Sequence, residues 1–148
     1  MSSAYWRQTG AIWPMGVPTS LTWYDIGALL TLLHLFDVRL IIEIGVEHGG
    51  ASAVFAARCR YLPECSYYGI DITLDQLDPS VAALDGERIY RRNAWLSQTV
   101  DEVAQWVRES AGACLIFCDG GDKPKELHLY APLLRPGDVL VGHNRGNE

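Results

Sequence analysis

No apolar run in this 148-residue chain approaches the roughly 20 residues that cross a bilayer. The opening Met1-Ser2-Ser3-Ala4-Tyr5-Trp6-Arg7 also lacks the charged-then-apolar layout of a secretory leader. Both absences predict a cytoplasmic chain without a membrane partner. Basic charge is scarce as well: 12 Lys and Arg face 18 Asp and Glu, a net charge of −6. Sequence-independent phosphate binding needs the opposite balance, so no nucleic-acid partner is expected. Cysteine is present four times but never as Cys-x-x-Cys: Cys59 and Cys65 lie six apart, Cys114 and Cys118 four apart. Cys114 and Cys118 bracket Leu115, Ile116 and Phe117, and all four cysteines read as buried and reduced.

With 49% apolar and 20% charged residues, the composition excludes disorder, and the length suits one domain. Residues 1–21, rich in Trp, Pro and Gly, read as a lead-in; residues 22–148 carry the periodic signals. Thr22-x-x-Asp25 predicts a helix start, followed by Ile26, Leu29, Leu30 and Leu33 on one face. Val38 to Ile44 is a nearly continuous apolar run, the mark of a strand buried on both faces. Helix-forming Ala51 to Arg60 follows. Tyr67 to Ile72 predicts a second strand, Val81, Ala82 and Leu84 a short helix, and Arg88 to Arg91 a third strand. Thr99-x-x-Glu102 reads as a capping box opening a helix whose face is Val100, Val103, Ala104 and Val107. Ala113 to Cys118 is the fourth strand. Pro124 suits the first turn of a helix carrying Leu127, Tyr130, Ala131 and Leu134 on one side. Arg135 to Asp138 is a turn, and Val139 to Val141 the fifth strand. Alternating buried strands and helices predict an open α/β sheet.

In such sheets ligands sit beyond the carboxyl ends of the strands. Polar and glycine residues gather at all five predicted ends: Glu43 to Gly50, Asp71, Asn93 to Trp95, Asp119 to Asp122, and His143-Asn144. Gly45-x-x-x-Gly49-Gly50 serves either a tight strand-to-helix turn or the approach of a ligand. It is not the Gly-x-Gly-x-x-Gly of a pyrophosphate binder, which counts against a nicotinamide oxidoreductase, and no Lys-Ser/Thr follows as in a phosphate loop. Asp71 fits an acceptor for ribose hydroxyls or a helix cap. His34 and His128 fall within predicted helices as structural or surface residues.

The segments Leu40-Ile41-Ile42-Glu43-Ile44-Gly45-Val46-Glu47-His48-Gly49-Gly50-Ala51-Ser52 and Tyr68-Gly69-Ile70-Asp71-Ile72 resemble the first two motifs of class I S-adenosylmethionine-dependent methyltransferases. Phe117-Cys118-Asp119-Gly120-Gly121 and Tyr130 to Asp138 are similar to the fourth and fifth. The Glu-Ile-Gly-x-x-x-Gly-Gly form resembles the branch of small-molecule O-methyltransferases and cephalosporin hydroxylase-like proteins, and the resemblance covers residues 22–144. It implies a Rossmann-like three-layer α/β/α sandwich with a mostly parallel sheet of about five strands in the order 3-2-1-4-5.

The resemblance also implies roles. Glu43, Gly45 and Gly49 would hold the methionine part of S-adenosylmethionine, Asp71 its ribose, and Asn93 and Ala94 its adenine, with Val46 and Glu47 also among the cofactor-binding residues and Trp95 as a stacking face or a packing residue. Asp119 would face the sulfonium and the acceptor. A divalent metal such as Mg²⁺ would use Asp119 and Asn144, and His143 would serve as general base on a small-molecule hydroxyl, or as an ordinary loop residue. Asp122 stands where the family usually has histidine, and Arg92-Asn93 where it often has Gly-Asp. The family's last two strands are missing after Val139–Val141, so either the C-terminus is lacking or a second copy of the chain covers that edge. An O-methyltransferase is the first expectation; a catalytically silent or truncated domain binding a nucleoside ligand or a partner chain is the second.

Overall fold

The computed structural model describes residues 14–85 and 88–143. The apolar runs become β1 (Val38–Ile44), β2 (Ser66–Asp71), β3 (Ile89–Arg91), β4 (Ala113–Cys118) and β5 (Val139–Gly142). All pair in parallel, in the order β3-β2-β1-β4-β5. Central β1 and β4 bury both faces, so neither shows the alternation of a half-exposed strand. Their bounds match the sequence prediction. The second strand stops one residue short of it, leaving Ile72 68% exposed.

Among the described residues five α-helices cover the sheet: α1 (Trp23–Leu35), α2 (Gly50–Tyr61), α3 (Pro79–Asp85), α4 (Ser97–Glu109) and α5 (Lys123–Tyr130). On one face Leu29 and Leu33 of α1, Phe55 of α2 and Val81 of α3 pack against Ile41, Tyr67, Leu115 and Phe117. On the other, Val103 and Val107 of α4 and Tyr130 of α5 pack against Leu40, Ile42 and Ile116. The result is the expected three-layer sandwich. Val17 and Leu21, ahead of α1, join the first core, each 1% exposed. No helix among the described residues is long and apolar enough to cross a membrane.

Local chemistry sets the boundaries. The α1 capping box forms fully: Asp25 N–H donates to Thr22 Oγ1 at 3.2 Å, and Thr22 N–H donates to Asp25 Oδ2 at 2.7 Å. The box predicted at Thr99–Glu102 does not form. Helix α4 begins earlier, at Ser97, so Thr99 is a buried residue of its first turn and Glu102 pairs with Arg92. Burying Val103 and Val107 fixes the phase of this helix, and the capping pattern falls inside it. Two faces are narrower than expected. Ile26, Leu29 and Leu33 of α1 are buried, but Leu30 is 41% exposed. Tyr130 is buried, with Leu127 and Leu134 packed against the same core, while Ala131 is exposed and α5 also buries Glu126. The turn before β5 is clamped by Arg135, which donates to the carbonyls of Ser110 (2.9 Å) and Gly112 (2.7 Å). Asp138 accepts from the Cys114 N–H at 2.8 Å, tying this turn to the start of β4.

Candidate functional site

The strand order places β2 and β4 on opposite sides of β1, so the loops leaving β1 and β4 diverge to opposite faces and open a crevice at the carboxyl ends. A cleft of about 520 Å³ lies there, within the range that holds small ligands. Gly45, Glu47 and Asp71 line one side, Asn93, Ala94 and Trp95 the next, and Asp119, Gly120 and Gly121 the third. Lys123 and Glu126 of α5 complete it.

The crevice has a tight floor. Gly45 has φ +91°, and a Cβ built on it would sit 2.5 Å from the Gly120 nitrogen and 2.6 Å from the Asp119 carbonyl carbon. Only glycine lets the two loops touch here. Gly45 N–H donates to the Ile70 carbonyl at 2.9 Å, and Asp119 N–H to the Ile44 carbonyl at 2.7 Å, so three strand ends are stitched together. Asp71 Oδ2 accepts from the N–H groups of Val46 (2.8 Å) and Glu47 (2.9 Å), and Oδ1 accepts from Thr73 N–H at 3.1 Å. Asp71 therefore holds the glycine loop while it faces the cleft. Gly49, at φ +87°, is the N-cap of α2, and the Val46 side chain is buried.

Glu43 is turned away from the large cleft. It is 1% exposed and accepts from Ser52 Oγ and Tyr67 OH, both at 2.6 Å. Burial pushes its carboxyl up to about 8, against the lowering by those two hydroxyls and with help from the charges of Asp119 and Asp71. At neutral pH it is mostly protonated. It borders a small adjoining recess with Thr19, Ser20 and His48, which shares Gly45, Glu47 and Asp119 with the cleft.

Asn93 Oδ1 accepts from Trp95 N–H at 2.9 Å, and the Ala94 carbonyl accepts from Tyr130 OH at 2.6 Å, which ties this loop to α5. Trp95 is 40% exposed, with Lys125 Nζ 4.0 Å from its ring centre. Asp119 Oδ1 lies 3.1 Å from His143 Nδ1 and 3.5 Å from Lys123 Nζ. A carboxylate only accepts, so the proton of a neutral His143 ring belongs on Nδ1, which leaves Nε2 as the basic nitrogen. Asp25 Oδ2 lies 3.8 Å from that Nε2. His34 and His128 are exposed, on α1 and α5.

Lys123 and Glu126 line the cleft and were missed by the sequence reading; Asp25, also missed, reaches His143, and neither Asp25 nor His143 lines the cleft itself. Asp25 had a sufficient role as a helix cap, which concealed its approach to His143. Glu126 is 1% exposed, and its carboxylate accepts from Gly120 N–H (3.2 Å) and Asp122 N–H (3.3 Å), so it organises the loop after β4. Its burial raises its pKa, partly offset by those backbone donors and Lys123. An acid one helical turn after Asp122, in phase with Tyr130, was the available signal.

A divalent metal finds few donors among the described residues: no group of three His, Cys, Asp or Glu side chains converges for one. Asp119 already faces an ammonium and an imidazole, and Asn144, the other expected ligand, lies outside the described residues. The described donors do not by themselves make a metal centre. A nucleoside cofactor fits better, because the cleft combines a carboxylate at the end of β2, apolar walls from Ile44, Ile70 and Ile72, and an aromatic edge.

Comparison with known proteins agrees with this geometry. The family model Rhamnosyl O-methyltransferase/CmcI matches residues 4–145. The fold is similar to a CmcI structure with Mg and SAM, at 21% identity and TM-score 0.67, over 88% of this chain and 56% of that one. It is also similar to the O-methyltransferase TomG from Streptomyces achromogenes, involved in tomaymycin synthesis and solved in complex with SAM. There the identity is 22% and the TM-score 0.57, over 84% of this chain and 56% of that one. The chain thus spans little more than half the length of these two structures. No curated protein matches it. The parallel order about β1, the glycine turn beneath Asp119 and a match over nearly the whole length lead to one assignment: the chain belongs to the Rhamnosyl O-methyltransferase/CmcI family, within the class I S-adenosylmethionine-dependent methyltransferases.

Proposed function

We propose that the chain binds S-adenosylmethionine in the cleft at the carboxyl end of the sheet and catalyses methyl transfer to a hydroxyl of a small molecule. The observation that carries this reading is the convergence of Asp71, Asn93-Ala94 and Asp119 on one cleft of about 520 Å³ in a chain of this family. When bound, the cofactor supplies an electrophilic methyl group on a sulfonium. The remaining chemistry falls to the protein. Asp71 accepts from ribose hydroxyls, Asn93 and Ala94 border the adenine, and the glycine loop with Val46, Glu47 and Gly49 carries the methionine end. Glu43, just before that loop, ties β1 to α2 and β2 through Ser52 and Tyr67.

An alcohol must lose its proton as the oxygen attacks. His143 Nε2 takes it, with Nδ1–H donating to Asp119, which stabilises the imidazolium that forms; Asp25 adds a second negative charge on the other side of the ring. The acceptor is a small molecule rather than nucleic acid or membrane, in keeping with a net charge of −6, and the working compartment is the cytoplasm. A second copy of the chain covers the outer edge of β5, whose Val139, Leu140 and Val141 are each only half-buried. Sedimentation velocity tests that arrangement: a dimer supports it, and a monomer at micromolar concentration removes it.

Calorimetric titration with S-adenosylmethionine and S-adenosylhomocysteine tests the main reading. Wild-type protein should bind both, and Asp71→Asn should weaken binding at least about tenfold, because an amide replaces the charged acceptor. Absence of binding by the wild type would reject the reading. Binding without turnover on any alcohol would favour a catalytically silent domain. Tighter binding with Mg²⁺ would assign Asp119 and Asn144 as oxygen ligands, an addition that the proton chemistry above does not require.

A further inference from the structure

At the end of the sheet opposite the cleft, the turn from α2 into β2 folds Cys59 back onto Cys65. Cys59 lies in the last turns of α2, and Cys65 immediately precedes β2. Two backbone bonds set the turn: Leu62 N–H to the Arg58 carbonyl (3.1 Å) and Cys65 N–H to the Leu62 carbonyl (2.8 Å). The two sulfurs face each other at 2.8 Å, and the residues are 7% and 4% exposed. Tyr61, Pro63 and Glu64 of the same turn are exposed, so a modest local opening brings both sulfurs to solvent. Cys114 and Cys118 differ. They are fully buried in β4, and burial pushes each thiol up to about 12.

We propose that Cys59 and Cys65 form a redox-sensitive pair that closes into a disulfide when the chain meets an oxidant of the glutathione disulfide class. The Cys65 thiolate attacks one sulfur of the oxidant, its S–S bond breaks and one glutathione thiolate leaves. The Cys59 thiolate then attacks the Cys65 sulfur of the mixed disulfide, expelling the second glutathione thiolate. The two thiol protons pass to the two leaving thiolates, so the cysteines lose two electrons and the oxidant gains them. Cys65 suits the first step: its hydrogen bond with Cys59 lowers its pKa, outweighing burial, and the charges of Arg58 and Arg39 lower it further. The closed pair staples the end of α2 to the start of β2. This pair is independent of methyl transfer, since it lies at the far end of both elements from the cleft.

The whole chain is incubated with glutathione disulfide, quenched by alkylation under denaturing conditions, and weighed intact and after digestion. The expected product is two hydrogens lighter, carries two alkyl groups instead of four, and yields a peptide linking Cys59 to Cys65. Cys59→Ser should stop at a glutathione adduct on Cys65, because the second attack has no nucleophile. Oxidised wild type should melt about 5–10 °C above reduced protein, as expected for closing a short loop in a domain of this size. Four alkylated cysteines after exposure to an oxidant sufficient to convert a reference dithiol, or a linkage involving Cys114 or Cys118, would overturn the proposal.

Discussion

Glu43 shows how burial rewrites the chemistry of one residue. Its carboxyl, just before the glycine loop, has a folded pKa near 8 against an ordinary 4.5, so the native state retains a proton that the unfolded chain releases. The stability tied to that proton is complete below about pH 4.5 and is lost as pH rises through about 8. Glu43→Gln keeps the shape and removes the titration. The melting temperature of wild type relative to this variant should therefore fall steadily from pH 5 to pH 8.5, and a constant difference would show that Glu43 is not protonated in the fold. Gly45 offers a steric counterpart. Gly45→Ala should cost roughly 2 kcal/mol or more by denaturant melting, because its φ of +91° and the Gly120 backbone at 2.5 Å both resist a Cβ. Gly121→Ala, where a Cβ meets nothing within 4 Å, should stay within about 0.5 kcal/mol of wild type.

The same capping pattern had two outcomes at the level of elements. Thr22-x-x-Asp25 caps α1 because the apolar phase of Ile26, Leu29 and Leu33 begins just after it. Thr99-x-x-Glu102 fails because the phase set by Val103 and Val107 already includes Thr99. Thr22→Ala should therefore cost about 1 kcal/mol by chemical denaturation. The variant should also weaken proton transfer at His143, because Asp25 loses the hydroxyl that holds it. A mutation that lowers stability without touching methyl transfer would place Asp25 outside the chemistry. Helix α5 extends the point: its buried face carries Glu126, which a search for apolar periodicity passes over because its partners are the backbone N–H groups of the next loop.

Across the whole molecule, the strand order concentrates stability in the centre. β1 pairs with both β2 and β4, whereas β3 and β5 each have one neighbour among the described strands. Amide exchange should be slowest in β1 and β4 and fastest in β3, by several orders of magnitude in protection, with β5 shielded where a second copy covers its outer edge. Equal protection across the sheet would mean that a further element pairs with its edges.

The sequence by itself determined the strands, the helices and their layering, because a buried strand must be continuously apolar and a covering helix must repeat every three to four residues. It also marked the strand ends, where polar and glycine residues cluster. Only the tertiary structure decided which of those residues meet. Asp25, 118 positions before His143, reaches its ring only because α1 begins at the carboxyl end of the sheet. Glu43 turns from the cleft towards Ser52 and Tyr67, and Cys59 folds back on Cys65 although their spacing matches no motif. Periodicity reports which face of an element is buried; the partner on that face is set by how separate elements pack, and no local pattern encodes it.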